Sequence, residues 1–501
     1  MASYIHAVLD VVRDAKTLGF IAGGTAYAAY KLLTFRDIPD LQCPPRKRSG
    51  LFAFVMGHAA EILEHNALVG KGFVDWYEDN TRAVQIRLFC LQRVHTVNPK
   101  DAEYILGFGA KKYRKGQLYK ALARVIGYGL VTLFSDEEHA AHRREVSAAF
   151  SPAALRRIAD TAVPTHAKAM LDTLHSACGA PAGTVKIQDV LTTAALRVIA
   201  QAAFRTESEA SLRVVEEAYD EAMRNGWTPF RLVWLFDKCL FWRNYKIQCA
   251  KAKMGKLVQD IQAQSKNSSA DVDDTNAKAL IDFLIHSKKL TTGQIIDHSI
   301  TFMFAGYDTT SNALTWMCYL LSKNPDIQER LYEELCACIG KDTVPRMDDV
   351  KHCNYLYWVI KESLRLKGPV SLIARYATED DVLPGTKQFV PKGAYIVIPF
   401  VAIHHSKQLY GEDADVFRPE RWEDAELEER VGLGGYLPFS MGKRNCIGKE
   451  FAMNEMALLG ATVFRNFKLD WPVMEPEPEP YITPIYKPKV PFNVEISERQ
   501  V

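Results

Sequence analysis

Apolar side chains recur at helical spacing through most of this chain. The longest such pattern begins at a capping box formed by Thr291 and Gln294 and runs without proline to Ser322. It predicts a helix of roughly 30 residues, which would be about 45 Å long. Further helices are predicted over Tyr355–Leu366 and 449–467, where apolar residues again return every three or four positions.

Strand patterns are shorter and lie mainly towards the two ends of the chain. Residues 83–97 contain two β-prone runs that predict a hairpin, and residues 386–400 predict another around a Pro-Lys-Gly turn. The last 20 residues also look like strands. Residues 153–267 show the pattern of several amphipathic helices with little strand signal. We therefore expect a helix-rich chain with a small amount of sheet.

The N-terminal segment Leu18–Leu33 is mostly apolar but short. It has 16 residues, whereas a membrane-spanning helix normally needs about 20. Basic residues outnumber acidic ones downstream of it, which would place that side in the cytosol if the segment spans. The segment predicts a membrane anchor, with an amphipathic surface helix or a soluble leader as alternatives. Pro44 and Pro45 then give a stiff break before the globular part.

Composition narrows the function classes. The chain has 501 residues, 48% of them hydrophobic, and a net charge of +2. It can therefore bury an extensive core, and its charge gives no reason to expect nucleic-acid binding. The ten cysteines form no Cys-x-x-Cys pair and no zinc spacing. Reduced thiols facing the cytosol are the simpler interpretation.

One cysteine lies in a distinctive loop, Phe439-Ser-Met-Gly-Lys-Arg-Asn-Cys-Ile-Gly. Cys446 ends this loop just before a predicted helix, whose N-terminal N–H groups and dipole favour a thiolate, a good soft ligand for iron. Gly442 and Gly448 allow a sharp turn and the close approach of a flat cofactor. Arg444 can bind a carboxylate such as a haem propionate. The alternative is a buried structural cysteine before an ordinary core helix.

The centre of the longest predicted helix is poor in helix-forming residues. It reads Phe304-Ala-Gly-Tyr-Asp-Thr-Thr, in which one glycine and two threonines reduce helix propensity. Small side chains there leave space for something to lie against the helix, and a threonine hydroxyl can bond the carbonyl four residues back or a water. An acid, Asp308, beside a hydroxyl, Thr309, suits proton delivery. The alternative is an incidental polar notch in a core helix.

The loop that ends at Cys446 resembles the haem-binding loop of the cytochrome P450 family, whose pattern is Phe-x-x-Gly-x-Arg-x-Cys-x-Gly. Five fixed positions match within ten residues. The run from Ala305 to Thr310 matches the oxygen-activation motif of that family, and the resemblance extends over about residues 44–494. It implies a mainly α cytochrome P450 fold: an N-terminal membrane anchor and hinge at 1–43, and a haem domain at 44–501 that combines a large helical domain with a small β-rich one.

The resemblance also implies roles for individual residues. Cys446 would be the axial ligand of the iron of haem b. Other residues would contact the haem, with the arginines on its propionates: Ala305, Phe439, Gly442, Gly448, Arg143, Arg375 and Arg444. His139 stands where the family pattern Trp-x-x-x-Arg has tryptophan, and a histidine on a helix surface is the alternative there.

Two further groups of residues receive roles from the resemblance. Thr309 would order water and hydrogen-bond the oxygen molecule, and Asp308 would connect it to a proton supply. Glu362, Arg365 and Arg421 would form a buried charge-paired triad that braces the haem loop. Their role would be structural, because the triad supplies bidentate pairing rather than chemistry.

The function that the resemblance implies is a haem-thiolate monooxygenase of a eukaryotic, fungal type. It would act in secondary metabolism on an apolar small molecule such as a terpenoid, sterol or fatty acid. Electrons would come from NADPH through a separate NADPH-cytochrome P450 reductase, with cytochrome b5 as a further candidate partner. Of the basic residues Lys443, Arg444 and Lys449 around the loop, those not buried on the haem would present a docking face. The enzyme would sit on the endoplasmic reticulum membrane, facing the cytosol.

Two other functions remain open at this stage. One is a haem-thiolate isomerase, dehydratase or peroxygenase that needs no external electrons, against which the retained pair Asp308 and Thr309 argues. The other is a non-catalytic haem- or ligand-binding protein.

Overall fold

Helices dominate the computed structural model of this chain. It describes residues 77, 82–88, 91–178, 183–204, 213–214, 217–218, 221, 241–267, 279–287, 289–339, 344–482 and 485–499. The predicted anchor Leu18–Leu33 and the break at Pro44 and Pro45 lie outside these residues. Within them, no helix is both long enough and apolar enough to cross a membrane.

The helices alternate with short loops over the whole described chain. They are α1 Pro99–Leu106, α2 Gln117–Ile126, α3 Asp136–Ser147, α4 Pro152–Asp160, α5 Ala162–Cys178, α6 Ile187–Phe204, α7 Phe241–Asn267, α8 Leu280–His286, α9 Thr292–Ser322, α10 Pro325–Ile339, α11 Met347–Val350, α12 Asn354–Lys367, α13 Phe400–His404, α14 Lys407–Tyr410, α15 Ala425–Gly435 and α16 Lys449–Asn466. Short 3-10 helices cover Ala110–Lys112, Ala148–Phe150, Pro419–Glu423 and Gly442–Arg444.

The strands form small, separate sheets. They are β1 Val84–Leu88, β2 Leu91–His95, β3 Tyr113–Arg114, β4 Thr184–Val185, β5 Ile373–Ala377, β6 Asp381–Val382, β7 Phe389–Val390, β8 Tyr395–Ile398, β9 Phe467–Asp470, β10 Pro480–Ile482, β11 Tyr486–Pro488 and β12 Val494–Glu498. The largest sheet has the order β1-β2-β8-β5-β3, antiparallel except between β2 and β8. The strands β4, β12 and β9 form an antiparallel sheet of three, while β10–β11 and β6–β7 are pairs.

The long helix α9 confirms the prediction for this part of the chain. The hydroxyl of Thr291 accepts a hydrogen bond from the Gln294 N–H (3.3 Å), and the Gln294 side chain accepts one from the Thr291 N–H (2.9 Å). The helix packs most extensively against α6. A Cβ at Gly306 would lie 2.6 Å from Cγ1 of Ile199 on α6, so this contact requires a glycine in mid-helix.

The prediction of a hairpin over 386–400 is wrong in its pairing. The turn at Pro391 forms, with the Ala394 N–H donating to the Pro391 carbonyl (3.1 Å). The two strands beside it belong to different sheets, however, because β7 pairs with β6 whereas β8 lies between β2 and β5. The first predicted hairpin, over 83–97, is confirmed as β1 and β2.

The carboxylate of Glu362 on α12 is fully buried and binds two guanidinium groups. Its Oε1 accepts from Nη2 of Arg365 and Nε of Arg421, both at 2.8 Å, and its Oε2 accepts from Nε of Arg365 (2.9 Å) and from the indole N–H of Trp422 (3.0 Å). Backbone carbonyls, including those of residues 404, 410, 413, 414 and 416, accept the remaining guanidinium N–H groups. The triad predicted from the sequence therefore forms.

Aromatic rings connect this triad to the loop that carries Cys446. The ring of Tyr436 lies 4.7 Å from that of Trp422, and its hydroxyl donates to the carbonyl of Lys361 on α12 (3.0 Å). The next residue, Leu437, donates its N–H to Nε2 of His404 (2.9 Å). The chain that enters the loop is thus fixed to the triad by packing and hydrogen bonds.

A second carboxyl group is buried in the helical core. Glu455 on α16 is 1% exposed and lies beside Thr310 of α9. Burial raises the pKa of Glu455 well above its ordinary value near 4.5. Burial therefore favours the protonated form of this side chain in the folded protein.

We expect Arg421→Met to destabilise the fold by about 3–5 kcal/mol, because it leaves the Glu362 carboxylate buried with one of its cations removed. Arg418→Met is the matched control, because Arg418 forms an exposed ion pair with Asp413 and such pairs contribute about 0–1 kcal/mol. Thermal unfolding of the two variants measures the difference. Equal melting temperatures would show that the triad does not brace the fold.

Glu455→Gln should make stability less dependent on pH. Glu455 binds its proton more tightly in the folded than in the unfolded chain, so the stability of the wild type falls as the pH rises above the unfolded pKa near 4.5. Glutamine removes this loss, which amounts to about 1.4 kcal/mol per pH unit. The melting temperature of the variant relative to the wild type should therefore rise as the pH increases above the unfolded pKa near 4.5. A melting-temperature difference between the variant and the wild type that stays constant as the pH rises would contradict a raised pKa for Glu455.

Candidate active site

The loop before α16 is held by its own backbone. The Cys446 N–H donates to the Phe439 carbonyl (2.9 Å), and the Asn445 N–H donates to the Gly442 carbonyl (3.1 Å). Gly442 has a φ of +72°, and a Cβ there would lie 2.0 Å from the carbonyl oxygen of Leu106. Glycine is therefore required at 442, as predicted, although its close neighbour is another backbone segment.

Gly448 does not show the sharp turn that was expected of it. Its φ is −90°, and a Cβ there would make only ordinary contact with the Phe150 ring (3.7 Å) and with Sγ of Cys446 (4.0 Å). Its contribution comes from its backbone, because the Gly448 N–H hydrogen-bonds to the Cys446 sulfur just before α16 begins.

Cys446 is exposed although much of the protein surrounds it, so it faces an opening within the molecule. Burial raises the pKa of this thiol, while the Gly448 N–H and the guanidinium of Arg143 act in the opposite direction. Desolvation thus outweighs the helix N-terminus on which the sequence argument relied. A bound metal ion removes the proton of a coordinating thiol and so resolves this conflict.

The middle of α9 is open on one face. Ala305, Gly306 and Thr309 are partly exposed, whereas the residues on either side of them are buried. The helix continues through this stretch, and the Thr309 hydroxyl donates to the Ala305 carbonyl (2.7 Å). The spacing of Ala305 and Thr309 puts them on the same side of the helix, where small side chains leave the predicted space, whereas Gly306 packs against Ile199 of α6.

Phenylalanine rings connect the cysteine loop to this part of α9. Phe150, which borders Gly448, has its ring 5.7 Å from that of Phe302. Phe302 lies one helical turn before the open positions that begin at Ala305. The thiol and the middle of α9 therefore belong to one region of the interior.

Basic side chains gather around the same region. Arg444 turns inward, donating to the carbonyls of Leu133 and Ser135 and pairing with Asp136. Arg143 on α3 donates to the Asn445 carbonyl and side-chain oxygens, both at 2.8 Å. Arg143 thus contacts the cysteine loop, to which Arg444 belongs.

Arg375 and His139 complete the set of predicted basic residues. Arg375 on β5 is buried and donates to the Tyr119 hydroxyl (3.1 Å). His139 on α3 is 5% exposed, so it is not a histidine on the helix surface. Burial, followed by the charges of Arg444 and Lys115, lowers the pKa of His139 to about 3 and keeps its ring neutral.

Sequence reasoning missed Lys115 and Tyr119. Lys115 follows β3, donates to the Val131 carbonyl (2.6 Å) and lies 5.0 Å from the centre of the Tyr119 ring. Burial and the nearby charges of Arg444 and Arg375 lower the pKa of Lys115 well below its ordinary value. The segment that contains both residues has no clean hydrophobic period, so no pattern marked them in advance.

These cations have few acidic partners among the described residues. Asp136 is the carboxylate that pairs with Arg444 and that also acts on Lys115. Mutual repulsion of buried positive groups is unfavourable unless anions compensate it. A ligand that complements this region would have two carboxylates to pair with the cations and an apolar body to lie against the open face of α9. It would also carry a metal that accepts the thiolate of Cys446. Haem b has this chemistry, so the residues present fit it.

Comparison with known proteins agrees with this geometry. The sequence model of the cytochrome P450 family matches residues 55–496. Cytochrome P450 monooxygenase 205 of Postia placenta is 29% identical over 504 residues, which cover 91% of this chain and 90% of that protein. A cytokinin hydroxylase of Arabidopsis thaliana is 29% identical over 79% of this chain and 76% of its own length. Human cytochrome P450 4F2 is 37% identical over 44% of this chain and 42% of its own length.

Members of this family use haem b, receive electrons from partner reductases and act on small molecules. The cysteine loop, the open α9 helix and a family match over most of the chain lead to one conclusion. This chain belongs to the cytochrome P450 family and is a haem-thiolate monooxygenase.

Proposed function

We propose that this enzyme inserts one oxygen atom from O2 into an apolar, lipid-like molecule such as a terpenoid, sterol or fatty acid, in secondary metabolism. The observation that carries the proposal is the exposed Cys446 thiol in the same interior region as the open face of α9. Haem b, when bound there, supplies an iron that takes up and reductively activates O2. The full-length fungal relative supports a fungal type of enzyme.

The residues of this chain hold the cofactor in the proposed site. Cys446 would bind the iron as a thiolate, and the Gly448 N–H would stabilise the charge on its sulfur. Arg143, Arg375 and Arg444 would bind the propionates, and the remaining contact residues would pack on or beside the ring: Phe439, Gly442, Gly448, Ala305 and His139. Since His139 is neutral, its contribution is a hydrogen bond or packing rather than a charge.

Two residues of α9 would deliver protons to the oxygen that leaves as water. The Thr309 hydroxyl is partly exposed on the open face, and Asp308 is the acid next to it. Retention of both residues favours oxygen activation over the rival haem-thiolate isomerases and peroxygenases, which need no such proton path. It equally disfavours a haem-binding protein without catalysis.

The electrons would come from NADPH through a separate NADPH-cytochrome P450 reductase, with cytochrome b5 as a further candidate partner. The proposed docking face lies around the cysteine loop. Lys443 and Lys449 are exposed there, whereas Arg444 points inward and does not belong to it. Exposed lysines next to the site favour acidic partners through electrostatic attraction.

The enzyme would be attached to the endoplasmic reticulum membrane by residues 1–43, with the haem domain of residues 44–501 in the cytosol. The apolar segment Leu18–Leu33 and the basic residues after it support this placement. Attachment to a membrane would give the site access to lipid-like substrates.

Titration of the purified ferric holoenzyme with terpenoids, sterols and fatty acids tests the substrate proposal. We expect one class to shift the Soret band from the low-spin to the high-spin position, because a substrate that binds beside α9 displaces water from the iron. The class that shifts the band identifies the chemistry of the substrate. A response to none of the three, in protein with an intact thiolate spectrum, would contradict the lipid-like substrate.

Arg444→Leu should weaken haem retention by roughly ten-fold or more, since a charge-assisted hydrogen bond contributes about 1.5–3 kcal/mol. Lys443→Gln is the matched control, because Lys443 is the adjacent cation on the same loop but is exposed. Haem transfer to an apo-globin acceptor measures the retention of both variants. Equal retention by the two would argue against a propionate contact for Arg444.

A further inference from the structure

Asp308 is held on two sides by side chains that were not part of the predicted motif. The Asn312 amide donates to Oδ1 of Asp308 (3.0 Å), one turn further along α9. The ammonium group of Lys487, on β11, lies 4.0 Å from the same oxygen. The Lys487 side chain is 29% exposed, whereas that of Asp308 is 7% exposed, so Lys487 forms the solvent side of this ion pair.

The hairpin that carries Lys487 is fixed to the helical core. The ring of Tyr486 stacks on that of Trp316 of α9, with the centroids 5.2 Å apart, and its hydroxyl accepts a hydrogen bond from Lys367 (3.2 Å). The Tyr486 N–H also donates to the Pro369 carbonyl (2.7 Å). Lys487 is therefore presented to Asp308 from a supported strand and not from a free loop.

Asp308 and Thr309 interact with different partners on different sides of α9. The Thr309 hydroxyl donates to the Ala305 carbonyl on the open side of α9. Asp308, about 100° further round the helix, interacts with Asn312 and Lys487 instead. A proton that reaches Thr309 from solvent by way of Asp308 would therefore arrive on the side of the helix where Lys487 lies.

We propose that Lys487 is a positioning residue for proton delivery. Its ammonium group holds the Asp308 side chain towards the solvent edge, where the carboxylate takes up a proton before passing it towards Thr309. This inference rests on the proton-delivery roles proposed above for Asp308 and Thr309. It adds the strand β11 to the parts of the fold that control the reaction.

The stoichiometry of oxygen reduction shows what a poor proton supply would do. Monooxygenation combines O2, a C–H bond, two electrons and two protons to give an alcohol and water. Without substrate, O2 takes two electrons and two protons to give hydrogen peroxide, or four of each to give two waters. O–O cleavage requires a proton on the oxygen that leaves as water, so impaired delivery diverts electrons to peroxide.

A double-mutant cycle tests the contact without using activity. Lys487→Met and Asp308→Asn should each lower the melting temperature of the holoenzyme, and the double variant should lower it by less than the sum of the two effects. Lys489→Gln is the control, because Lys489 is on the same hairpin but pairs with Glu479 (2.7 Å). Additive effects of Lys487→Met and Asp308→Asn would overturn the ion pair, and with it the inference.

The second test is the NADPH consumed per O2 by the holoenzyme with NADPH-cytochrome P450 reductase and no substrate. The value runs from one, when all product is peroxide, to two, when all is water. Lys487→Met should lower the fraction of water about two- to ten-fold, less than removal of the proton-transfer group itself. Lys487→Arg and Lys489→Gln should consume the same amount of NADPH per O2 as the wild type.

The outcomes separate this inference from the function on which it rests. If Asp308→Asn and Thr309→Ala change the ratio but Lys487→Met does not, the role of Lys487 is wrong and the proton path stands. If none of the three changes it, the proposed roles of Asp308 and Thr309 fail as well, together with the inference drawn from them.

Discussion

The buried carboxylate of Glu362 is the interaction on which the cysteine loop depends. It compensates two guanidinium groups, Arg365 and Arg421, which are themselves bonded to carbonyls of the chain between α13 and the 3-10 helix Pro419–Glu423. Through Trp422 and Tyr436 the same group fixes the start of the loop. Removal of one charge would leave the others uncompensated in a low dielectric. The geometry of the site thus depends on the charges of Glu362, Arg365 and Arg421, which take no part in the reaction itself.

On the other side of the loop, positively charged side chains outnumber negatively charged ones among the described residues. Arg143, Arg375, Arg444 and Lys115 face the interior, with Asp136 as their acidic neighbour. In the triad the protein supplies the counter-charge, whereas in the proposed site the propionates of haem b would supply it. This difference separates a structural cluster from the proposed binding cluster, although both contain buried or half-buried arginines. A cofactor bound there would then add to the stability of the folded enzyme.

Local sequence signals predicted much of the fold and of the site. The α9 helix with its cap and the requirement for glycine at 442 follow from spacing and residue type, whereas Arg143 was singled out by the family resemblance alone. The contribution of Lys115 was not predictable, because it depends on a long-range contact with the 130–131 carbonyls. The pairing of β8 failed for the same reason, since neighbours distant in sequence outcompeted the local turn. Local sequence patterns specify the secondary-structure elements, while desolvation and charges distant in sequence determine the pKa values of the side chains in the site.

Thiolate ligation by Cys446 is the premise of the proposed chemistry, and the spectrum of the reduced, carbon monoxide-bound holoprotein tests it most directly. Wild-type protein and Cys249→Ser, which changes an exposed cysteine elsewhere in the fold, should both show the red-shifted Soret band of a thiolate ligand. Cys446→His, which supplies an imidazole, should bind haem without that band. A red-shifted band that survives in Cys446→His, or that is missing from haem-loaded wild-type protein, would contradict the assignment of Cys446 and the function built on it.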